Sequence, residues 1–503
     1  MTQPSSLAWR LAALLLLLPL SHAAGQTTVP RFGTAEIVLR ADRSFNGASG
    51  TPNPFTDVTL TAQVTSPGGR TFTVDGFFDG DGLGGQSGVV FKVRIYADET
   101  GSWSWRTTSN NAGLHGKSGV FTCLGTLSGA FGKGAVVENP AKPRTFMFQY
   151  GEPVYLIGKF LDAAAPVPIQ YSHTLLSESL TDANRQAMLD RHVGMKLNKM
   201  AVYLANRGDY GGRSTTPWLG TAASNNKQRF DLARWRMFER WVVKLRDAGM
   251  VAQLWFFADD SGFGDLPDAD RKRLIRYGMA RLSGYANTLF TLVLEWQEGW
   301  TTTEVNTTAT YLHQWNPWAR PLSVLGTPGD FSFPGAAWAD YMQTQPGNGT
   351  SYPVVHSAAL KNRGLAVKPL IVEEFATGAE SLGNRQKAWA AFMAGPAGSG
   401  TGAFLQHLSR FAALVDFERM SPADGLVTSG GAYGLAESNR AYVFYLFNGG
   451  SVTVNLSAAT GTFIAEWYDP RTGAFRAAPS ALGGGSRSFT APASGDWVLY
   501  LHR

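Results

Sequence analysis

Two apolar runs that end in glutamate decide the fold of this chain: Thr291-Leu-Val-Leu-Glu-Trp-Gln-Glu298 and Lys368-Pro-Leu-Ile-Val-Glu-Glu-Phe375. Short apolar runs of this kind are typical of parallel strands buried on both faces. About 75 residues separate the two runs, which is room for three strand–helix units of a parallel barrel. Each run places a carboxylate where its strand leaves the sheet.

Strand and helix patterns alternate around these two runs. The predicted strands cover 154–160, 199–205, 251–257, 289–294, 321–325, 339–342, 368–372 and 402–405. Amphipathic stretches at 181–192, 231–248 and 267–285 predict helices between them. Eight alternations over about 260 residues match a closed (β/α)8 TIM barrel, which we assign to residues 139–421.

The flanking segments have the alternating pattern of antiparallel sheets. Strands are predicted before the barrel at 36–40, 58–62, 91–96 and 101–105, and after it at 441–446, 451–456, 461–468 and 495–501. Turns rich in Gly, Asn and Asp separate many of them. The sequence therefore predicts a multidomain chain with an N-terminal β-sandwich at 27–138 and a C-terminal β-sandwich at 422–503.

The N-terminus has the pattern of an export signal. Residues 1–10 carry one positive charge, Leu11 to Leu20 is almost purely aliphatic, and Ser21-His-Ala-Ala24 offers small residues for cleavage. This segment is too short to remain as a membrane span. We predict a signal peptide at 1–24 and a periplasmic or extracellular bacterial protein that is not inserted in the membrane. Cys123 stands alone, so no internal disulfide is expected.

Composition narrows the partners. The net charge is +6, but Lys and Arg are scattered and no nucleic-acid motif is present. An anionic glycan is one possible partner. The sequence does not indicate the oligomeric state. No metal-ligand spacing and no phosphate-binding loop occurs, so neither a metal nor another cofactor is expected.

Enzymes that cleave glycosidic bonds use two carboxyl groups, and the predicted barrel carries two at its strand ends. Retaining enzymes hold them about 5–5.5 Å apart and inverting enzymes about 6.5–9.5 Å apart. Neighbouring side chains of a strand point to opposite sides, so Glu373 and Glu374 cannot both face the barrel axis. We predict Glu298 as general acid/base and Glu374 as nucleophile; a surface or ion-paired glutamate is the alternative for each.

Further side chains near the predicted strand ends are candidates for substrate binding. Tyr341 could donate a hydrogen bond to the nucleophile, and the indoles of the Trp candidates could stack on sugar rings. Packing in the core or in loops is the alternative for every one of them. The full set is Gln297, Tyr341, Asn206, Arg207, Trp255, Trp300 and His407.

The glutamate pair resembles that of the clan A glycoside hydrolases. Members of that clan carry the acid/base after the fourth barrel strand and the nucleophile at the end of the seventh. The run ending in Glu374-Phe375 is close to the seventh-strand pattern. At the fourth strand Gln297 stands where the clan usually has Asn before the acid/base, and Gln can still donate a hydrogen bond.

The flanking segments carry further resemblances. Gly101-Ser-Trp-Ser-Trp-Arg-Thr-Thr-Ser109 resembles an uncharacterised sandwich domain that commonly precedes bacterial glycosidase barrels. Ala465-Glu-Trp-Tyr-Asp-Pro-Arg-Thr-Gly473 resembles a C-terminal sandwich named as collagen-binding, which similar chains pair with apiosidase-like barrels. These resemblances imply a secreted bacterial enzyme that acts on carbohydrates.

The sequence thus predicts an exported glycoside hydrolase with a retaining two-glutamate mechanism, acting on a polysaccharide or oligosaccharide. The alternative is a non-catalytic glycan-binding or cell-surface scaffold protein with a degenerate barrel. A collagen-binding adhesin is a third reading, which rests on a domain name alone.

Overall fold

The computed structural model describes residues 28–208, 213–258, 263–330 and 333–503. The signal peptide predicted at 1–24 lies outside these ranges. Three sheet-rich regions follow one another along the chain, so the prediction of a multidomain protein is confirmed. Within the described ranges, no helix is both long and apolar enough to cross a membrane.

The first region is one curled sheet. Its strands are β1 (Thr28–Arg31), β2 (Thr34–Asn46), β3 (Leu60–Thr65), β4 (Thr71–Phe78), β5 (Ser87–Tyr96), β6 (Gly101–Ser109) and β7 (Ser118–Thr126). They pair in the order β1-β7-β6-β3-β4-β5-β2. Because β1 and β2 are consecutive in the chain, the two edges of the sheet meet and form a nearly closed barrel. Strand β4 pairs with β3 through residues 71–75 and with β5 through residues 76–78, so it connects the two halves of the curled sheet, and the β-sandwich predicted at 27–138 stays a prediction.

The second region begins with a small antiparallel sheet and continues with parallel strands. The antiparallel strands are β8 (Val136–Glu138), β9 (Phe146–Phe148) and β10 (Pro153–Val154). The parallel strands are β11 (Leu156–Ile157), β12 (Lys199–Tyr203), β15 (Val251–Phe257), β16 (Thr288–Val293), β17 (Leu322–Ser323), β18 (Met342–Thr344), β19 (Leu370–Val372) and β20 (Gly398–Ser399). A hairpin of β13 (Trp218–Gly220) and β14 (Asn225–Phe230) lies between β12 and β15.

Helices connect most of the parallel strands. They are α1 (Asp182–Gly194), α2 (Leu232–Asp247), α3 (Asp268–Leu282), α4 (Thr302–Gln314), α5 (Tyr352–Leu365), α6 (Leu382–Met393) and α7 (Leu405–Ala412). Helix α1 begins with a capping box in which Thr181 and Asn184 satisfy each other's backbone amides. The helices predicted from amphipathic periodicity at 181–192, 231–248 and 267–285 are confirmed by α1, α2 and α3.

The eight parallel strands form two sheets of four. One has the order β12-β15-β16-β17 and the other β11-β20-β19-β18. A few hydrogen bonds bridge their edges. Asn198 N donates to Ile157 O at 3.0 Å and Asn198 Oδ1 accepts from Ile157 N at 2.8 Å, while Asp340 N donates to Leu322 O at 2.9 Å. The described residues thus show two adjoining half-sheets rather than one closed eight-stranded ladder.

Two predicted strands of this region are displaced. The eighth was predicted at 402–405, but the chain pairs at Gly398–Ser399 and helix α7 begins at Leu405. The sixth was predicted at 339–342 and lies at Met342–Thr344. The paired residues include Gly398 and Ser399 in one strand and Gln343 and Thr344 in the other, which carry no apolar signal, so the apolar runs beside them led to the wrong limits.

The third region is a sandwich, as predicted. Its strands are β21 (Ser421–Pro422), β22 (Val427–Ser429), β23 (Ala432–Glu437), β24 (Ala441–Leu446), β25 (Ser451–Asn455), β26 (Thr462–Tyr468), β27 (Phe475–Leu482), β28 (Ser486–Thr490) and β29 (Trp497–His502). A sheet of six, β21-β23-β24-β29-β26-β27, shares one apolar core with a sheet of three, β22-β25-β28.

Candidate active site

The loops that leave the carboxyl ends of β16, β17, β18 and β19 lie side by side. We call the segments 294–300, 324–330, 345–350 and 373–380 the carboxyl-terminal rim. Parallel strands deliver their following loops to one edge, which is where sheets of this type bind ligands. Glu298 and Glu374 both belong to this rim.

Glu298 ends a short 3-10 turn, Trp296–Glu298, directly after β16. The Glu298 side chain is exposed, while Trp296 is nearly buried and packs against Phe333 with ring centroids 5.4 Å apart. The Trp296 indole also donates to Asp330 Oδ2 at 3.2 Å. The turn that carries Glu298 is therefore held by its neighbours on the rim.

Gln297, the departure from the resembled pattern, has a structural contact. Its Oε1 accepts a hydrogen bond from the Thr327 amide at 2.9 Å, which ties the loop after β16 to the loop after β17. The predicted contact with substrate remains a prediction.

Glu295 is a third carboxylate at the rim. It adopts a left-handed conformation with φ of 44°, which is unusual for a residue with a Cβ and is found often at functional sites. Its carboxylate accepts a hydrogen bond from Gln345, which also donates to Gly326 O at 3.0 Å. Glu295 thus links the loop after β16 with the loop after β18.

Glu373 and Glu374 point to different places, as expected for neighbours at a strand end. Glu373 enters the interior and is 0% exposed, whereas Glu374 is half-buried at the rim. Asn348, in the loop after β18, donates a hydrogen bond to the Glu374 carboxylate. The inward position therefore belongs to Glu373, but only Glu374 is within reach of a molecule at the rim.

A polar network fills the interior below the rim. Lys199 Nζ lies 3.1 Å from both carboxylate oxygens of Glu373 and 2.9 Å from Gln253 Oε1. Gln253 Nε2 donates to Gln343 Oε1 at 2.9 Å, and Gln343 Nε2 donates to Thr291 Oγ1 at 3.0 Å. These side chains come from both half-sheets, so the network joins them.

Sequence reasoning missed this network. Its members Lys199, Gln253 and Gln343 stand inside runs that are otherwise buried and read as strands. A lysine or glutamine in a strand buried on both faces needs a buried hydrogen-bond partner. That requirement could have predicted a polar network between these strands.

Tyr341 belongs to the same network. It is 0% exposed, and its hydroxyl donates to Phe290 O at 3.0 Å and lies 3.0 Å from Thr291 Oγ1. Burial raises its pKa strongly. This placement directs the hydroxyl into the interior, and the predicted hydrogen bond to the nucleophile stays untested.

The two candidate tryptophans lie in the core beneath the rim. Trp255 is 0% exposed and packs against Phe160 and Tyr203. Trp300 is 5% exposed and lies under the guanidinium of Arg271, 4.0 Å from the ring centroid. As placed, neither indole presents a face to solvent, which favours the packing alternative.

Asn206 and Arg207 follow β12, as predicted. The side-chain Nδ2 of Asn206 donates to Arg213 O at 2.9 Å, and its Oδ1 accepts from the Gly208 backbone amide at 3.2 Å. These hydrogen bonds stabilise the loop that contains Asn206. Arg207 donates to Asp265 Oδ1 at 2.7 Å and lies 4.6 Å over the Phe263 ring. Asn206 is buried, and Arg207 is partly exposed beside the loop after β15.

A second cation lies close to Arg207. Lys227, on the β13–β14 hairpin, places its ammonium 3.8 Å over the Trp218 ring and 5.8 Å from Phe263. Burial, with a further contribution from Arg207, lowers the pKa of Lys227 to about 8. This side of the site thus holds two cations, Arg207 and Lys227, together with the carboxylates of Asp265 and Asp270.

His407 contacts the C-terminal sandwich. It is part of α7, its carbonyl accepts a hydrogen bond from Tyr468 at 2.7 Å, and its ring faces Gly473 of the C-terminal sandwich. The displaced eighth strand explains this, because the predicted strand end at 405 is the start of a helix. The substrate contact predicted for His407 stays a prediction.

No group of three or more His, Cys, Asp or Glu side chains in the described parts of the chain is arranged to hold a metal ion.

Comparisons with known proteins bear on the flanking regions and on the fold. A family model described as "Domain of unknown function (DUF5060)" matches residues 28–110, and one described as "Putative collagen-binding domain of a collagenase" matches residues 429–502. Neither reaches the rim. No curated protein matches the chain.

Solved structures match more of the chain. A protein described as a putative glycoside hydrolase from Bacteroides vulgatus ATCC 8482 has a TM-score of 0.76 at 16% identity, covering 95% of this chain and 100% of the other. A family 5 glycoside hydrolase from the same organism has a TM-score of 0.61 at 14% identity, covering 74% of this chain and 94% of the other. At such identities the likeness shows a shared fold.

Proposed function

We propose that this protein is a glycoside hydrolase in which Glu298 is the general acid/base and Glu374 the nucleophile. One observation supports it most: these two solvent-accessible glutamates follow the fourth and seventh parallel strands and belong to the same rim. The fold shared with glycoside hydrolases supports the same reading, with the two half-sheets acting as one (β/α)8 barrel.

In the first step Glu298 donates its proton to the glycosidic oxygen while a Glu374 oxygen attacks the anomeric carbon. The bond from that carbon to the leaving oxygen breaks, and the leaving group departs as an alcohol. In the second step Glu298 takes a proton from water, water attacks the anomeric carbon, and the ester to Glu374 breaks. Two inversions give net retention.

The substrate class follows from the surroundings of the site. Lys227 and Arg207, the latter paired with Asp265, lie beside the rim, and we propose that an acidic group of the glycan binds on this side. We further propose that the protein is exported to the periplasm or the cell exterior, as residues 1–24 suggest.

The test is a screen of the purified protein against neutral and acidic oligosaccharides, polysaccharides and aryl glycosides. We expect release of reducing ends, and NMR of the first product should show the anomeric configuration of the substrate. Glu374→Ala should lose nearly all turnover and keep glycan binding. Glycan binding without any hydrolysis by the wild type would instead favour a scaffold protein.

A further inference from the structure

A buried ion pair lies directly beneath the proposed nucleophile. The side chains of Lys199 and Glu373 are 1% and 0% exposed. Burial lowers the pKa of Lys199, and the neighbouring Glu373 carboxylate opposes that shift. Replacing a buried pair by neutral residues of similar shape is often neutral or stabilising, so stability alone does not account for it.

Side chains from two strands contact Glu373, and a side chain from a third strand supports them. Lys199 from β12 contacts both of its carboxylate oxygens, and Gln253 from β15 donates to Oε1 at 3.1 Å. Gln253 is in turn fixed by Gln343 of β18 at 2.9 Å. Three direct hydrogen bonds, two from Lys199 and one from Gln253, thus hold the Glu373 carboxylate in place.

The backbone on either side of Glu374 is held as well. The Glu373 amide donates to Thr344 O at 2.8 Å, and Thr401 Oγ1 donates to Glu373 O at 3.2 Å. The same Thr401 hydroxyl accepts from the Phe375 amide at 3.1 Å. Glu374 therefore lies between two residues whose positions are fixed.

Gly400 leaves the space that this arrangement needs. A Cβ at that position would lie 1.9 Å from Glu373 Oε2 and 3.0 Å from the Glu373 Cα. Any larger residue would push Glu373 out of place.

We propose that Lys199, Gln253 and Glu373 form a positioning device for Glu374: the buried pair fixes the peptide that carries the nucleophile and so sets where its carboxylate meets the anomeric carbon. This inference rests on the proposed function. The three residues touch no substrate and act through Glu374. A displacement of about 1 Å in such a group can slow a reaction about 100-fold.

The decisive variant is Lys199→Met/Glu373→Gln, which removes both charges and keeps the volumes. On an aryl glycoside from the screen we expect kcat to fall about 100-fold while KM stays within about twofold. Thr288→Val is the matched control, because it removes a buried hydroxyl that donates to Tyr285 O at 3.1 Å at the opposite end of β16, outside this network, and its kcat should stay near that of the wild type. A folded double variant with wild-type kcat would overturn the inference.

A second measurement does not depend on activity. Crystal structures of the wild type and the double variant should differ in the hydrogen bond between Asn348 and Glu374, which we expect to be lost in the variant. If the Glu374 carboxylate superimposes in both, positioning is refuted, whether or not the protein is a hydrolase. Gly400→Ala displaces Glu373 by contact and serves if the double variant does not fold.

Discussion

Arg94 and Glu239 form a two-point ion pair between the N-terminal sheet and helix α2, with Nη1–Oε1 at 2.6 Å and Nη2–Oε2 at 3.0 Å. Arg281 of α3 binds the same carboxylate and also donates to Asp79 Oδ1 of the N-terminal region at 2.6 Å. Burial alone would raise the pKa of Glu239, but Arg281 and Arg94 outweigh it and lower the pKa to about 2. The two regions are therefore joined by buried charge.

This junction should weaken in acid. The pKa of Glu239 is lowered from 4.5 to about 2, so its contribution to stability is complete above about pH 4.5 and is lost as the pH falls toward 2. Glu239→Gln should cost about 3 kcal/mol at pH 7, because it removes the charged carboxylate that the buried Arg94 and Arg281 share. Thermal unfolding from pH 2 to 7 should show the difference from wild type shrinking in acid. Asp247→Asn, an exposed carboxylate on the same helix, is the control, and a difference independent of pH would contradict the assignment.

The roles of the two glutamates after β16 can be separated by the leaving group. Glu298→Ala should lower kcat by about 100- to 10,000-fold on substrates whose leaving group needs a proton, and much less on activated aryl glycosides. Glu295→Gln should not show that dependence, since its carboxylate contacts Gln345. Brønsted plots of the two variants make the comparison. The opposite pattern would transfer the acid/base role to Glu295.

The N-terminal region should stiffen the β13–β14 hairpin. Arg229 of β14 donates to Gly47 O at 3.1 Å and to Gly50 O at 2.8 Å. Arg229→Ala should therefore speed hydrogen exchange in 218–230 and raise KM a few-fold without lowering kcat. Arg236→Ala, which removes a bond to Gly82 O at 2.9 Å away from the hairpin, is the matched control. Equal exchange in both variants would speak against this support.

The C-terminal sandwich should depend on one buried carboxylate. Asp496, 0% exposed, accepts two hydrogen bonds from Arg385 of α6 at 2.8 and 2.6 Å and one from Tyr445 at 2.8 Å. Asp496→Ala should cost about 3–5 kcal/mol and expose the connection at 413–426 to limited proteolysis. Asp416→Asn, from an exposed pair, should change neither. Unaltered cleavage in the Asp496 variant would show that apolar contacts suffice.

In the middle region, the apolar pattern predicted the limits of a strand well only where the strand is long and mostly apolar. Strand β15 matches its predicted limits, 251–257, because it is long and almost continuously apolar. Strand β20 consists of Gly398 and Ser399, which carry no apolar signal. The interior of β18 holds Gln343, whose partner comes from another strand. Such pairing between distant residues cannot be read from a local pattern.

The candidate site was predictable as a set of positions but not as a set of contacts. The two strand-end glutamates could be found because their strands are apolar and their place in the alternation is countable. Which of Glu373 and Glu374 enters the interior depends on Lys199, about 170 residues earlier in the chain, and parity alone left that open. The sequence left sugar stacking and core packing open for Trp255, because nothing near it in the chain marks the rings of Phe160 and Tyr203 that pack against it.

The pairing of β11 with β20 has a consequence for biogenesis. Leu156 aligns with Gly398 and Ile157 with Ser399, so the earliest strand of its half-sheet finds its neighbour only after some 240 further residues have been synthesised. During synthesis β11 therefore lacks its neighbour β20, and this half-sheet cannot be completed until almost all of the middle region has left the ribosome.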